Sequence, residues 1–86
     1  MKKFREYPNI GKEVEKQLVV VKIYTIEELR KIGSEQAWLK LKEIDLSACS
    51  HRLLALEGAI QGVKKQLIDE RRKKELKNFF ELYRVK

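Results

Sequence analysis

Between Cys49 and Val63 the apolar residues Cys49, Leu53, Leu56, Ile60 and Val63 recur at intervals of four, three, four and three. That rhythm is one face of an α-helix and not a strand, whose side chains change face at every residue. Leu54 widens the face, so the spacing predicts a broad apolar helix over about Ala48–Gln61, central to whatever the chain builds. Such a helix has to be covered by others, and a chain of 86 residues has material for one core only. With 43% hydrophobic and 38% charged residues, that core is thin and its shell heavily solvated. The expectation is one all-α domain over residues 1–86, a compact bundle of about five helices with a helix-hairpin-helix-like or SAM-like arrangement.

The remaining helices follow from periodicity and punctuation. Pro8-Asn9-Ile10-Gly11 is a turn signal, and Val14, Leu18 and Val21 after it predict a first helix from about Gly11 to Val20. The run Leu18 to Tyr24 has strand propensity, but a lone strand would have no partner, so it reads as a helix end and an apolar connection. Thr25-Ile26-Glu27-Glu28 has the form of a capping box, which starts a second helix with Ile26, Leu29 and Ile32 inward and Gly33 as its left-handed stop. Ser34 is then the expected cap of a third helix, about Glu35–Glu43, burying Ala37, Trp38 and Leu41. Asp45 or Ser47 opens the fourth. In that helix Cys49 reads as core, Gly58 as a small residue under a crossing helix, and Gly62 as the terminator. A fifth helix over about Asp69–Arg84 turns Leu76, Phe79, Phe80 and Tyr83 inward and Arg71, Arg72, Lys73, Lys74 and Lys77 mostly outward.

Charge is concentrated at the two ends. Residues 1–24 hold six Lys/Arg against three Asp/Glu, residues 25–59 five against six, and residues 60–86 nine against four, for a net +7. A basic chain of this kind attracts polyanions, but the same pattern also describes a solvated face. A single cysteine makes neither a disulfide framework nor a multi-cysteine metal site, which sets the cytoplasm as the expected compartment. Met1-Lys2-Lys3 leads into Phe4-Arg5-Glu6-Tyr7-Pro8 without an apolar core segment, and the longest apolar run, Leu18 to Val21, is far short of a membrane span.

Candidate chemistry is sparse. The amides at the start of helix 1, Gly11 with Lys12 and Lys16 nearby, form either a phosphate-binding helix terminus or an ordinary helix start diluted by Glu13 and Glu15. The Gly11-Lys12 pair is not a P-loop, because Glu6 and Glu13 stand where Gly and Ser or Thr are needed. Cys49 and His51 are offset on a helix and have no third ligand type nearby, so neither a metal nor another cofactor is expected. Glu27 and Glu28 are explained by capping and the helix dipole, and one histidine offers little from which to assemble a catalytic group. Trp38, Phe79 and Phe80 fit a core at helical spacing better than a base-stacking surface. The expected site is therefore a set of phosphate or DNA contacts: Gly11, Lys12, Lys16, Arg71, Arg72, Lys73, Lys74 and Lys77. The competing expectation is a regulatory-protein partner, or a second copy, docked on the helices.

Two stretches carry a resemblance. Pro8-Asn9-Ile10-Gly11-Lys12 followed by Ile23-Tyr24-Thr25-Ile26-Glu27-Glu28-Leu29 looks like a helix-hairpin-helix motif, and Leu53-Leu54-Ala55-Leu56-Glu57-Gly58-Ala59-Ile60-Gln61-Gly62 closely resembles the leucine-rich core helix of the TfoX C-terminal domain. Together with Ile32-Gly33 these cover nearly the whole chain in order. The resemblance implies a compact helical fold and a link to the regulation of DNA uptake, that is, to competence and DNA transformation. It does not separate weak sequence-independent DNA binding through the basic residues from docking on a protein partner, and with no catalytic group in the sequence the expected role is a non-enzymatic regulatory module. Two positions depart from the hairpin pattern: Asn9 and Lys22 stand where such turns commonly have Gly. Asn tolerates the left-handed conformation such a turn needs; Lys adopts it at a cost of about 1–2 kcal/mol.

Overall fold

A computed structural model describes residues 3–84; Met1 and Lys2, read above as the start of a basic terminus, and Val85 and Lys86 lie outside them. The elements are a 3-10 turn at Phe4–Glu6, α1 (Lys12–Val20), α2 (Ile26–Ile32), α3 (Ser34–Ile44), α4 (Ser50–Gln61), a second 3-10 turn at Lys65–Leu67, and α5 (Glu70–Tyr83). The described residues form no strand, and Leu18–Tyr24 is the helix end and connection that its lack of a partner predicts. α4 is the hub: α2, α3 and α5 all pack on it, while α1 packs on α3 and on the first 3-10 turn. Consistent with that position, α4 is buried without interruption from Ala55 to Ala59, and Leu53 and Leu56 are sealed from solvent.

Local signals account for the helix boundaries. At α2 the Glu28 amide donates to the Thr25 hydroxyl at 3.1 Å, and the Thr25 amide donates back to the Glu28 carboxylate at 3.1 Å. Removing the hydroxyl in Thr25→Ala is expected to lower stability by about 1 kcal/mol, measured as a lower melting temperature with an otherwise unchanged cooperative transition. Gly33 stops α2 at φ +88 but also precedes α3 directly. Ser34 is thus not a cap but the first residue of α3, fully buried, its hydroxyl donating 2.7 Å to the Glu57 carboxylate. Nor do Asp45 or Ser47 open α4: its N-cap is Cys49, which is exposed, while Ala48 takes the core position assigned to that cysteine. Asp45 instead ties the loop together, accepting from the Ser47 hydroxyl, Gln17 and Arg52, which holds its carboxyl well below the usual range.

Both α1 and α4 end in the same hydrogen-bonded turn. After α1 the Lys22 amide donates to the Val19 carbonyl (2.9 Å) and the Ile23 amide to the Leu18 carbonyl (2.8 Å), with Lys22 at φ +67. After α4 the Gly62 and Val63 amides donate to Ala59 and Gly58, with Gly62 at φ +76. This closure needs a left-handed residue, which glycine provides at no steric cost and lysine does not. Lys22→Gly is therefore expected to stabilise the domain, by about 1 kcal/mol once the greater entropy of the unfolded glycine is subtracted, read as a rise in the denaturation midpoint. Leu18, freed of strand pairing, and Ile23 are both buried in the core.

The core draws Phe4 and Ile10, Leu18 and Ile23, and Ile26 and Leu29 against Trp38 and Leu41 of α3, Leu53 and Leu56 of α4, and Leu76 of α5. Trp38 is fully buried with its indole N–H donating 3.2 Å to the Cys49 carbonyl, and Phe79 and Phe80 meet its ring edge-on at centroid distances of 6.2 and 5.5 Å. These aromatics hold α5 to α3, as a core reading requires.

Candidate functional site

The positively charged residues singled out in the sequence divide into separate surfaces. Gly11 is the N-cap of α1 in an extended conformation (φ −91), and no side chain caps that helix. Lys12 and Lys16 follow on an exposed face one turn apart, and the same face continues into Val19 and Val20. These residues line an open groove of about 990 Å³, closed on one side by the Phe4–Glu6 turn and at its far end by Tyr24. Lys3 and Arg5 stand on the opposite rim; Arg5 reaches the Glu15 carboxylate at 3.5 Å, and Glu13 also borders the groove.

The groove is polarised along its length. Toward the start of α1 it presents Lys12 and Lys16 with Glu13 and Glu15, and with Lys3 and Arg5 across from them its charges sum to a positive excess. Toward the end of α1 it is apolar, with Val19 47%, Val20 60% and Tyr24 57% exposed. The apolar strip does not stop there. Val20 also borders a hollow with Lys40, Glu43 and Ile44, and Glu43 in turn borders one with Leu39, Leu46 and Tyr83. Of the seven large exposed apolar side chains among the described residues, Val19, Val20, Tyr24 and Ile44 line or adjoin the first two hollows and Leu46 the third, which is reached through Glu43, while Leu67 and Leu82 lie elsewhere.

The α5 cluster is elsewhere. Lys73 and Lys77 border a hollow between α4 and α5 that shares no lining residue with the α1 groove. Arg71, Lys74 and Lys77 are exposed at three-residue spacing and make no ion pair among the described residues, whereas Lys73 is 3.6 Å from the Glu70 carboxylate and donates to the Gln66 carbonyl. Arg72 does not face outward with its neighbours. Its guanidinium turns back into the seam of α3, α4 and α5, donating to both oxygens of Glu35 (2.8 and 3.0 Å), to Glu57 (3.1 Å) and to Glu75 (3.1 Å). Burial raises the pKa of Glu35 and Glu57, but the hydrogen bonds from Arg72, joined by its charge and by hydrogen bonds from Ser34, from the backbone amide at Glu35 and from Gln61 at Glu57, together outweigh it and hold both carboxyls below their ordinary values. The positive charge of Arg72 is used inside the domain.

The sequence singled out Lys12 and Lys16 as phosphate contacts at the start of helix 1 and pointed neither to a groove there nor to its apolar half and other wall. Phe4 is 4% exposed and anchors the N-terminal turn that makes the wall. The available signal was an aromatic just ahead of a turn-forming Pro-Asn pair, which is weak. Val19 and Val20 stood in the sequence as the surplus of an apolar run longer than one helix face can bury.

Fold and surface together define a small all-helical domain that offers basic and apolar side chains for contact. The chain belongs to the TfoX C-terminal domain family, whose model matches residues 1–80. It is a competence-related domain of regulatory type. Two solved structures of Listeria monocytogenes proteins are similar to it: an uncharacterized protein in a triclinic crystal form, 44% identical with a TM-score of 0.91 over 94% of this chain and 93% of that one, and a protein of unknown function in a tetragonal form, 44% identical with a TM-score of 0.89 over 92% and 96%. No curated protein is matched by the chain. Among the described residues no helix is long and apolar enough to cross a membrane.

Proposed function

We propose that this domain is a non-enzymatic regulatory module that works by docking a protein partner along the strip running from the α1 groove to the end of α3. The observation that carries the reading is a series of adjoining hollows that expose Val19, Val20, Tyr24, Ile44 and Leu46, with Glu43 between the last two and lysines along the edges. Contiguous exposed apolar surface with a polar rim is the signature of an interaction site, and scattered single residues are not. The test is capture from native extract with the domain and with Val20→Glu, each with and without nuclease. A nuclease-resistant protein retained by the wild type and lost by Val20→Glu supports docking; equal capture by both rejects it. Val20 is exposed, so the substitution is expected to leave the melting temperature within a few degrees of wild type.

A second reading, weak sequence-independent DNA binding, is favoured by the exposed row Arg71, Lys74 and Lys77 on α5. Such contacts neutralise phosphates without reading bases and give a Kd of about 10⁻⁴ to 10⁻⁶ M at physiological salt. Lys74→Ala with Lys77→Ala is then expected to reduce the slope of log affinity against log salt by up to about two phosphate equivalents, followed by fluorescence anisotropy on a duplex of about 30 base pairs. Absence of binding at tens of micromolar protein in low salt rejects this reading.

A further inference from the structure

We infer that the occupant of the α1 groove is an amphipathic helix carrying acidic residues beside its apolar face, an inference that rests on the docking reading and specifies its partner. The shape of the site argues for a helix. The described residues contain no strand, so no sheet edge is available to extend with a partner's backbone. What is offered is an open groove walled by α1, whose nine residues run for about 14 Å, or between two and three helical turns. An apolar helix face laid into such a trough is a common mode of peptide recognition, with anchors at three- and four-residue spacing.

Charge decides the character of that helix. Lys3, Lys12 and Lys16 line the groove and have no ion-pair partner among the described residues. Glu13 and Glu15 oppose them, but Glu15 is engaged by Arg5 through both its side chain and its backbone amide. The positive end of the trough therefore favours carboxylates, while Val19, Val20 and Tyr24 at the other end accept apolar anchors. Complementary rim charges of this sort act mainly on association rate and on choice of partner.

The test uses the whole chain and two labelled peptides of about 15 residues with leucines at helical spacing, flanked in one by glutamates and in its twin by lysines. The glutamate peptide is expected to bind about tenfold tighter than its twin, with affinity falling as salt rises. Lys12→Glu with Lys16→Glu, both on exposed positions, is expected to reverse the preference while leaving the melting temperature unchanged. Equal binding of the two peptides, no binding of either, or a preference untouched by the charge reversal overturns the inference. So does duplex DNA that displaces the glutamate peptide from the wild type but has no affinity for the reversed variant, since the lysines would then be phosphate contacts. The docking reading is judged separately, by the effect of Val20→Glu on the captured partner: a charge-blind groove that still loses its partner with Val20→Glu defeats the acidic helix alone.

Discussion

Gly58→Ala is expected to destabilise the domain by about 2–3 kcal/mol, even though alanine is the better helix former by about 1 kcal/mol. A Cβ at this position collides with the Asn9 side-chain amide and comes within 2.7 Å of the Val63 carbonyl oxygen. Neither neighbour moves freely. The Asn9 amide donates 2.9 Å to the Val63 carbonyl and its oxygen accepts 2.9 Å from the Lys65 amide, which pins the N-terminal turn to the loop after α4. Making room at Gly58 breaks both bonds. For a domain of this size the loss corresponds to a fall in melting temperature of about 10–20 °C. Gly11→Ala is the internal control, since its Cβ would meet nothing within 4 Å and its φ of −91 suits alanine. Asn9→Gly keeps the left-handed turn at φ +69 and removes the colliding amide, so Gly58→Ala is expected to cost less in that background than in the wild type. Additive effects would show that the collision is not what makes Gly58 necessary. The residue that excludes a side chain here is thus Asn9, together with the exit of α4 itself, and not the crossing helix that the spacing suggested.

Arg72→Met is expected to be comparably damaging, by about 2–3 kcal/mol, because it leaves Glu35 and Glu57 facing each other with Ser34 between them and no cation. The figure is below that for a fully buried pair because the Arg72 and Glu35 side chains keep 28% and 29% of their exposure. The same network predicts a pH dependence. Both carboxyls have folded-state values below the ordinary 4.5, so the unfolded chain takes up protons first as pH falls. Their contribution is complete above about pH 4.5 and is lost progressively as pH drops through the lower folded values. Wild-type melting temperature is expected to fall more steeply below about pH 4.5 than that of Arg72→Met, in which the carboxyls have lost the largest of the contributions that hold them down. Parallel acid profiles would place the acid sensitivity elsewhere, Asp45 being the other carboxyl held low. Glu57→Leu is likewise expected to destabilise the domain, because Glu57 is buried between Ser34 and Arg72 and its loss leaves both without that partner.

The two readings of function place weight on different helices, which makes them separable. Docking uses the groove at α1, where Lys12 and Lys16 sit beside apolar side chains; DNA contact uses the outer row of α5. The α1 groove and the hollow between α4 and α5 have no lining residue in common.

Helix count, the hub position of α4, the capping box at Thr25 and the two terminating positions Gly33 and Gly62 were legible in the sequence, because each depends on residues within a few positions of one another. The left-handed positions Asn9 and Lys22 were legible too, as departures from a turn pattern that expects glycine, and both have positive φ. What the sequence left open depended on contacts between distant segments. Arg72 belongs by spacing to an outward basic run, yet Glu35 and Glu57 lie 37 and 15 residues away and draw it inward. Cys49 fits the apolar rhythm of α4, yet the helix begins one residue after it and leaves it at a solvated N-cap, with Ala48 inside. The partner of Gly58 lies across 49 residues at Asn9, and the groove exists only because Phe4 folds its turn against the core beside α1. Local hydrogen bonding and helical periodicity are properties of short stretches and can be read from them; which charge is neutralised, which glycine is crowded and which apolar residues remain uncovered are decided when the helices pack, since packing alone brings those atoms within reach.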